Sequence, residues 1–244
     1  MGNVRILIRN TGIALLLIVL LGNPYSVDFM RQSWYDLSRH NSRVEKQTAI
    51  GEILSQFEQV KYTELDAVYL NRTLSAEPKY RKLLRQQVYY KVPSRELQRK
   101  IVGDIRIKAF VTPDDEYWKA IYGLKDVYWL IDQKLLTKML EFQQELEKQQ
   151  YDSRAFTIRY SHRHPQFNEA VNGVGNSQHI LGKAVDIVIG DINRDGEYSV
   201  EDKRIVLDVL ENTVIRAAGG VGRYPGTRTV HFDTRGYRAR WDRQ

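Results

Sequence analysis

The sequence predicts an α+β protein in which helices accompany a small sheet. Apolar residues recur every three or four positions from Ile50 to Phe57, which is the spacing of an amphipathic helix. A longer stripe of the same spacing runs from Leu130 to Phe142. Apolar segments of strand length follow, at residues 155–158, 184–189 and 230–233.

The composition narrows the functional classes. The chain has 244 residues, of which 42% are hydrophobic and 27% charged, and this excludes collagen-like, fully disordered and multi-pass membrane proteins. The absence of cysteine excludes disulfide scaffolds, thiol catalysis and cysteine-based zinc fingers, so any metal must bind to histidine and carboxylate side chains. The net charge of +7 favours an anionic partner, which could be nucleic acid, lipid or cell wall.

Residues 1–27 are predicted to be a signal peptide or a membrane anchor. Arg5 and Arg9 precede an apolar run from Ile13 to Leu21, and a basic start before such a run is typical of secretory signals. The run is shorter than the roughly 20 residues that span a bilayer. Small residues are poorly placed for cleavage, so a removed signal and an uncleaved anchor at residues 4–22 both stay open. Either one exports the rest of the chain to the periplasm or another extracytoplasmic space.

Residues 28–125 are predicted to form a helical module of unknown role, which could bind a partner protein. Tyrosines alternate with basic residues here, as at Tyr80 and Arg81. Such a pattern occurs on nucleic-acid-binding surfaces and on ordinary solvated helix faces. The solvated face is favoured, and because nucleic-acid binding also conflicts with export, we expect no nucleic-acid partner.

Residues 126–244 carry residues suited to a metal centre. His179 and Asp186 lie seven positions apart in a turn that enters the strand at 184–189, so their side chains can converge. Alternation along 230–233 places His231 and Asp233 on one face. Two histidines and one aspartate leave a fourth zinc position open for water. Because isolated strand histidines are more often structural core residues, the spacing alone leaves both interpretations open.

A motif in this region indicates a family. The residues that match SxHxxGxAxD are Ser177, His179, Gly182, Ala184 and Asp186. Through them the region resembles the zinc D-alanyl-D-alanine carboxypeptidase family, which includes murein endopeptidases and the hedgehog signalling domain. Residues 160–168 are similar to the family's SGYRxPxxN segment. Further segments look like the exported murein endopeptidases, at residues 219–224, 230–233 and 238–241.

The resemblance implies a fold and a site. The fold is a small antiparallel sheet with helices that hold a single zinc, bound by His179, Asp186 and His231 with water as fourth ligand. Arg163 matches the arginine that binds or polarises substrate near the scissile bond, although a structural ion pair is the alternative. Ser177 occupies a position that orients the metal site.

The chain also departs from the family pattern. Relatives carry a general base three or two positions before the last ligand, where this chain has Arg228 and Thr229. Asp233 is the obvious substitute, but it could equally orient His231. Ser161 and His162 replace the usual glycine and tyrosine, which makes His162 and His164 candidates for proton transfer or substrate contact. His162, His164 and Arg163 therefore all stay candidates for contact with the substrate.

A second loop, at residues 191–202, has the calcium-binding pattern D-x-[DN]-x-[DN]-G with glycine at the sixth position. Its candidate calcium ligands are Asp191, Asn193, Asp195, Glu197, Ser199 and Asp202. Aspartate in place of glutamate at the last position implies weak affinity, which suits extracellular calcium. We expect calcium to rigidify the strand that carries Asp186, while a metal-free Asp/Asn-rich turn is the alternative.

These observations predict an exported zinc metallopeptidase. Its expected substrates are stem or cross-link peptides of peptidoglycan, cut at bonds that involve D-amino acids. The alternative is a catalytically inactive zinc and calcium domain that binds cell wall or a partner protein.

Overall fold

The computed structural model describes residues 45–242. The chain divides into residues 1–48 and a larger compact unit at 49–244. Of the first part, the structure describes only 45–48, which are helical. The predicted signal or anchor at 1–27 therefore lies outside the described residues. Within residues 45–242, no helix has the length and apolar character to cross a membrane.

Most helices and strands of the described residues are short. The helices are α1 (residues 45–55), α2 (Ala67–Arg72), α3 (Pro78–Leu84), α4 (Asp115–Ile121), α5 (Gln133–Lys148), α6 (Pro165–Ala170) and α7 (Val200–Asp208), which continues as one π-helical turn at Val209–Val214. The strands are β1 (Glu58–Lys61), β2 (Val88–Val92), β3 (Lys100–Val102), β4 (Ile105–Arg106), β5 (Val127–Trp129), β6 (Phe156–Tyr160), β7 (Ala184–Ile189), β8 (Gly220–Arg223), β9 (Thr229–Asp233) and β10 (Ala239–Asp242). The fold is α+β, as the sequence predicts.

A five-stranded sheet carries the predicted site. Its strand order is β10-β8-β9-β7-β6, with β10 parallel to β8 and the other pairs antiparallel. The register places one residue of each strand in a row across the sheet. That row consists of Trp241, Gly222, His231, Asp186 and Tyr160. Two of the three predicted ligands are therefore direct cross-strand neighbours.

Helix α5 supplies the core beside this sheet. Its apolar stripe is buried as predicted, because residues spaced by three and four fall on one face of a helix. Phe142 lies with its ring centroid 5.3 Å from Phe156 on β6 and 6.2 Å from Phe232 on β9. Fully burying a phenylalanine side chain stabilises a fold by about 1.5–3 kcal/mol, so these contacts bind the helix firmly to the sheet.

The predicted helical module is wrong for much of 58–125. Strands β1, β2 and β5 form an antiparallel sheet, and β3 and β4 form a hairpin. In β2, Tyr89 and Val92 are buried, because aromatic and β-branched side chains pack well on a pleated surface. Pairing with distant segments thus overrides local helix propensity. Since β5 pairs with β2, this sheet also crosses the boundary expected at residues 125 and 126.

Three tyrosines of this region do not lie on a solvated face. Tyr62, Tyr80 and Tyr89 are buried in a second apolar cluster with Leu84 and Ile180. The hydroxyl group of Tyr62 donates a hydrogen bond to the carbonyl of Ser75 at 2.7 Å. These three rings therefore belong to the core, which corrects the expectation that they lie on a solvated helix face.

Candidate metal centre

His179, Asp186 and His231 come together in the buried interior. Oδ1 of Asp186 lies 3.2 Å from Nε2 of His179 and 2.8 Å from Nδ1 of His231. The two imidazole nitrogens lie 3.1 Å apart. Ligands of a tetrahedral zinc at about 2.1 Å lie about 3.4 Å from one another, so these three atoms are close to the required spacing. Within residues 45–242 they are the one group of three or more such side chains that could hold a metal ion.

Strand pairing and one tight turn position the ligands. Asp186 on β7 pairs directly with His231 on β9. His179 lies in the preceding turn, which Gly182 closes with a φ of +65°. A Cβ at this glycine would lie 2.3 Å from the carbonyl oxygen of Leu130, so no larger residue fits without a backbone shift. Ser177 supports the same turn, because its hydroxyl accepts a hydrogen bond from the backbone N–H of His179 at 3.3 Å.

The outer nitrogen of each imidazole has an acceptor. The carbonyl of Ser161 lies 2.7 Å from Nδ1 of His179, and Asp233 Oδ2 lies 3.0 Å from Nε2 of His231. A carbonyl can only accept, so Nδ1 of His179 carries the proton and its Nε2 lone pair faces Asp186. Asp233 can likewise hold the proton of His231 at Nε2, which would leave Nδ1 to bind a metal ion. Acceptors of this kind are typical neighbours of metal-binding histidines.

The charges fit a metal-binding donor set. Burial raises the pKa of Asp186, but the charges and hydrogen bonds of His179 and His231 outweigh it and hold the pKa well below its usual range. Burial lowers the pKa of His179 despite the attraction of Asp186. Burial also acts to lower the pKa of His231, yet hydrogen bonds that its ring donates to the carboxylates of Asp186 and Asp233 raise the pKa overall. The centre therefore combines an ionised carboxylate with two imidazoles, each of which has an acceptor at its outer nitrogen.

Asp233 is fully buried and points at the outer nitrogen of His231. Its carboxylate also accepts hydrogen bonds from the backbone N–H of Gly220 at 3.0 Å and from the guanidinium of Arg235 at 2.6–3.1 Å. Burial raises the pKa of Asp233, but His231 and Arg235 outweigh burial and lower it. Of the two roles open for Asp233, these contacts favour orientation of His231. They do not favour the role of general base, because the carboxylate lies on the side of the ring away from the other ligands.

Arg163 lies beside the ligands. Its Nη2 is 3.9 Å from Oδ2 of Asp186, and its guanidinium carbon lies 5.7 Å from the centroid of the Tyr160 ring. Its backbone N–H donates to the carbonyl of His179 at 3.1 Å. The position of Arg163 is therefore compatible with both roles that the sequence left open, contact with a substrate and an ion pair with Asp186.

The two neighbouring histidines have other partners. His162 is buried against Tyr89, with its Nδ1 3.4 Å from the hydroxyl of Thr112, and burial lowers its pKa to about 3. His164 caps α6 by accepting the N–H of Phe167 at 3.1 Å, and its Nε2 lies 2.9 Å from Asp114. The structure does not bring either ring together with the three ligands. Their contacts favour packing and capping over the expected proton transfer or substrate contact.

The predicted calcium loop has the expected turn. Asp191 accepts the backbone N–H groups of Asp195 and Gly196, and Gly196 has a φ of +106°. Asp202 accepts the N–H of Ile192 at 2.7 Å and, with Ser199, forms the capping box of α7. The side chains of Asn193 and Asp195 bond each other at 2.8 Å, and Glu197 is exposed. The carboxylates of Asp191 and Asp202 accept hydrogen bonds from backbone N–H groups of the loop itself. Among the described residues, the loop side chains are not found as a metal-binding cluster like that of His179, Asp186 and His231, so calcium binding stays a prediction.

Trp241 is a site residue that sequence reasoning missed. Its ring centroid lies 5.0 Å from that of His231, and the guanidinium of Arg235 lies 4.9 Å from it. Glycines on β8 make room for the indole, since a Cβ at Gly222 would lie 2.7 Å from the ring. Gly220 and Gly222 alternate on β8, and this pattern could have indicated the contact, because strand glycines leave a flat surface on which an aromatic ring can pack.

Comparisons with known protein families, with curated proteins and with solved structures found no match to this chain. The interpretation of the centre therefore rests on its own donor atoms and their surroundings.

Proposed function

We propose that the protein is an exported zinc metallopeptidase that hydrolyses stem or cross-link peptides of peptidoglycan at bonds involving D-amino acids. The observation that carries the proposal is the convergence of His179, Asp186 and His231, each histidine being held by an acceptor at its outer nitrogen. Two nitrogens and one carboxylate oxygen form a ligand set used by hydrolytic zinc, with a position left for water.

The residues around the centre have distinct roles in this proposal. Zinc bound there would polarise the scissile carbonyl and lower the pKa of water. Arg163 would bind a substrate carboxylate or stabilise the negative charge that develops on the carbonyl oxygen. Asp233 and the carbonyl of Ser161 would keep the two imidazoles in the orientation and tautomer that metal binding requires. Trp241 and Tyr160 flank the ligand row and would contact the substrate on either side.

Two features of the sequence support the proposed peptidoglycan substrate and the proposed location outside the cytoplasm. The SxHxxGxAxD motif and its neighbouring segments resemble peptidases that act on peptidoglycan. The basic start and apolar run before Val27 support export, with an anchor at residues 4–22 as one form of it. Peptidoglycan lies outside the cytoplasmic membrane, so both parts of the proposal agree.

Metal analysis and a hydrolysis assay test the proposal together. Purified full-length protein should contain about one zinc per chain and should release new products from muropeptides. Asp186→Ala should lose the zinc and the products. Asp208→Ala removes an exposed carboxylate on α7 and serves as the matched control, which should keep both. The peptidase proposal fails if wild type and Asp186→Ala yield the same products.

One observation favours a second function, a catalytically inactive metal domain that binds cell wall or a partner protein. The family's base positions hold Arg228, which lies over the Tyr198 ring at 4.4 Å, and Thr229, whose hydroxyl is 3.5 Å from Arg159. Asp233 is engaged with His231 on the far side. Zinc-loaded protein that sediments with purified peptidoglycan but releases no product would support this function.

A further inference from the structure

A cavity of about 530 Å³ lies between α2, α4 and the strands β2 and β5. None of the three metal ligands lines it. The volume lies within the range of small-molecule pockets, which is about 300–1,000 Å³. The cavity is connected to the metal centre through the chain, because His164 in its wall directly follows Arg163.

The cavity wall carries charges of both signs. Its basic side chains are Arg72, Lys91 and Lys125, and its acidic side chains are Asp66, Asp114, Glu116 and Asp126. Neither sign dominates, so the wall does not suit a highly charged anion or cation. A ligand with one positive and one negative group matches it better, because each group then meets an opposite charge.

Arg72 is held in place for carboxylate recognition. Its Nη1 donates to Oδ2 of Asp114 at 2.7 Å, and its guanidinium carbon lies 5.8 Å from the centroid of the Tyr69 ring. Asp114 is itself fixed by His164 and by the backbone N–H of Tyr117. The planar guanidinium has five N–H donors. The donors that do not bind Asp114 can therefore bind the carboxylate of a ligand.

The other charges in the wall complete the match. The ammonium group of Lys91 lies 3.8 Å from the carboxylate of Glu58, which is beyond hydrogen-bond distance. Asp66 and Asp126 each use Oδ1 to accept backbone N–H groups. Their second oxygens can accept hydrogen bonds from a ligand ammonium.

The remaining surface suits a small apolar side chain. Tyr69 and Tyr128 pack edge to face with ring centroids 4.9 Å apart, and Val111 and Val127 line the cavity beside them. Aromatic and aliphatic walls of this kind provide the apolar area that small ligands bury.

We propose that this cavity binds a short zwitterionic peptide. Its terminal carboxylate would lie against Arg72 and Lys91, its ammonium against the wall carboxylates, and its side chains against Tyr69 and Tyr128. Such peptides are fragments of the substrates in the proposed function, but the site does not depend on hydrolysis at the metal centre.

Calorimetric titration of the full-length protein with three dipeptides tests the charge requirement. The probes are D-alanyl-D-alanine, its N-acetylated form and its C-amidated form. The zwitterion should bind, and removal of either charge should weaken binding about tenfold or more, since each removes a charge-assisted hydrogen bond. Equal binding of all three peptides, or binding of none, would overturn the proposal.

Variants then locate the binding. Lys91→Met should weaken binding of the dipeptide about tenfold, whereas Lys79→Met should leave it unchanged. Lys79 is the matched control because it is also a surface lysine with an acidic partner, Glu169, but does not line the cavity. Equal weakening by both substitutions would contradict the proposal.

A third variant distinguishes binding in the cavity from binding at the metal centre. His179→Ala should abolish hydrolysis of muropeptides and leave the affinity for D-alanyl-D-alanine unchanged. Loss of dipeptide binding in His179→Ala would assign the peptide to the metal centre and overturn the cavity site. Retained binding together with an inactive wild type would leave the cavity site standing and count against the peptidase function alone.

Discussion

Oδ2 of Asp233 lies 3.0 Å from Nε2 of His231, on the side of the imidazole opposite to the nitrogen that faces Asp186. The two residues share one face of β9, since they are two positions apart on a strand. Arg235 binds the same carboxylate in turn, with three nitrogen to oxygen distances of 2.6–3.1 Å. A chain from guanidinium to carboxylate to imidazole therefore ends at the nitrogen that faces Asp186 in the candidate metal centre.

Asp233→Asn tests this arrangement. The amide keeps the size of the side chain but removes the charge that fixes the His231 proton, so zinc affinity should fall about 10–100-fold. Competition with a zinc-binding dye measures it. Asp208→Asn, on the exposed face of α7, should leave zinc affinity unchanged. An Asp233→Asn protein with wild-type zinc affinity but no activity would instead support a direct catalytic role for Asp233.

Arg163→Met should reduce hydrolysis without loss of zinc. Nη2 of Arg163 is 3.9 Å from a ligand oxygen, close enough to act on substrate but too distant to be required for the ligand set itself. Removal of a single donor that stabilises a developing negative charge reduces kcat by about 100-fold or more, and we expect a loss of that order in kcat/KM. Zinc content measured on the same sample is the control. If zinc is lost along with activity, Arg163 acts as a structural ion pair.

His162 should make the metal-free protein less stable in acid. Burial and the neighbouring charge of His164 lower its pKa from 6.5 to about 3, although Asp114 opposes the shift. Between these values the unfolded chain binds a proton that the folded chain excludes, so this stabilisation is complete above pH 6.5 and is lost as the pH falls toward 3. From about pH 7.5 to about pH 5, the free energy of unfolding should drop by about 2 kcal/mol from this group.

Urea unfolding of wild type and His162→Gln over this pH range measures the contribution. Glutamine has no titrating ring, so the variant should show a smaller drop than wild type. Parallel curves for the two proteins would mean that other groups cause the acid sensitivity.

The sheet and the ligand set follow from patterns that are visible in the sequence. The apolar stripe of α5 and the apolar segments of β6, β7 and β9 are visible as local patterns in the sequence, without knowledge of the rest of the fold. The spacing of His179 and Asp186 allowed their side chains to converge, since one turn and one strand determine it, but only the motif favoured a metal site over a structural role. Each of these segments can therefore be recognised in the sequence without knowledge of its distant partner.

The errors concern features that depend on distant pairing. Residues 88–92 form a strand because β1 and β5 flank them, and no local pattern shows those partners. The Ser161 carbonyl faces His179 only after β6 has paired with β7. Trp241 covers His231 because β10 joins the sheet edge parallel to β8. The groups that surround the candidate metal centre are thus less predictable from the sequence than its three candidate ligands.

The calcium loop provides the last prediction. If calcium binds at residues 191–202, Asp195→Ala should lower the Tm in added calcium and should have little effect in EGTA. Zinc content is measured in both conditions, because EGTA also binds zinc. The physical reason is that an ion bound to the folded state alone stabilises it by RT ln(1 + [Ca²⁺]/Kd). Without the ion, the exposed carboxylate of Asp195 accepts hydrogen bonds from the side chain of Asn193 and from the backbone N–H of Glu197. Asp208→Ala is again the matched control and should show no calcium-dependent shift. Equal destabilisation of Asp195→Ala with calcium and with EGTA would identify the loop as a hydrogen-bonded turn, in which Asp191 and Asp202 organise the backbone without an ion.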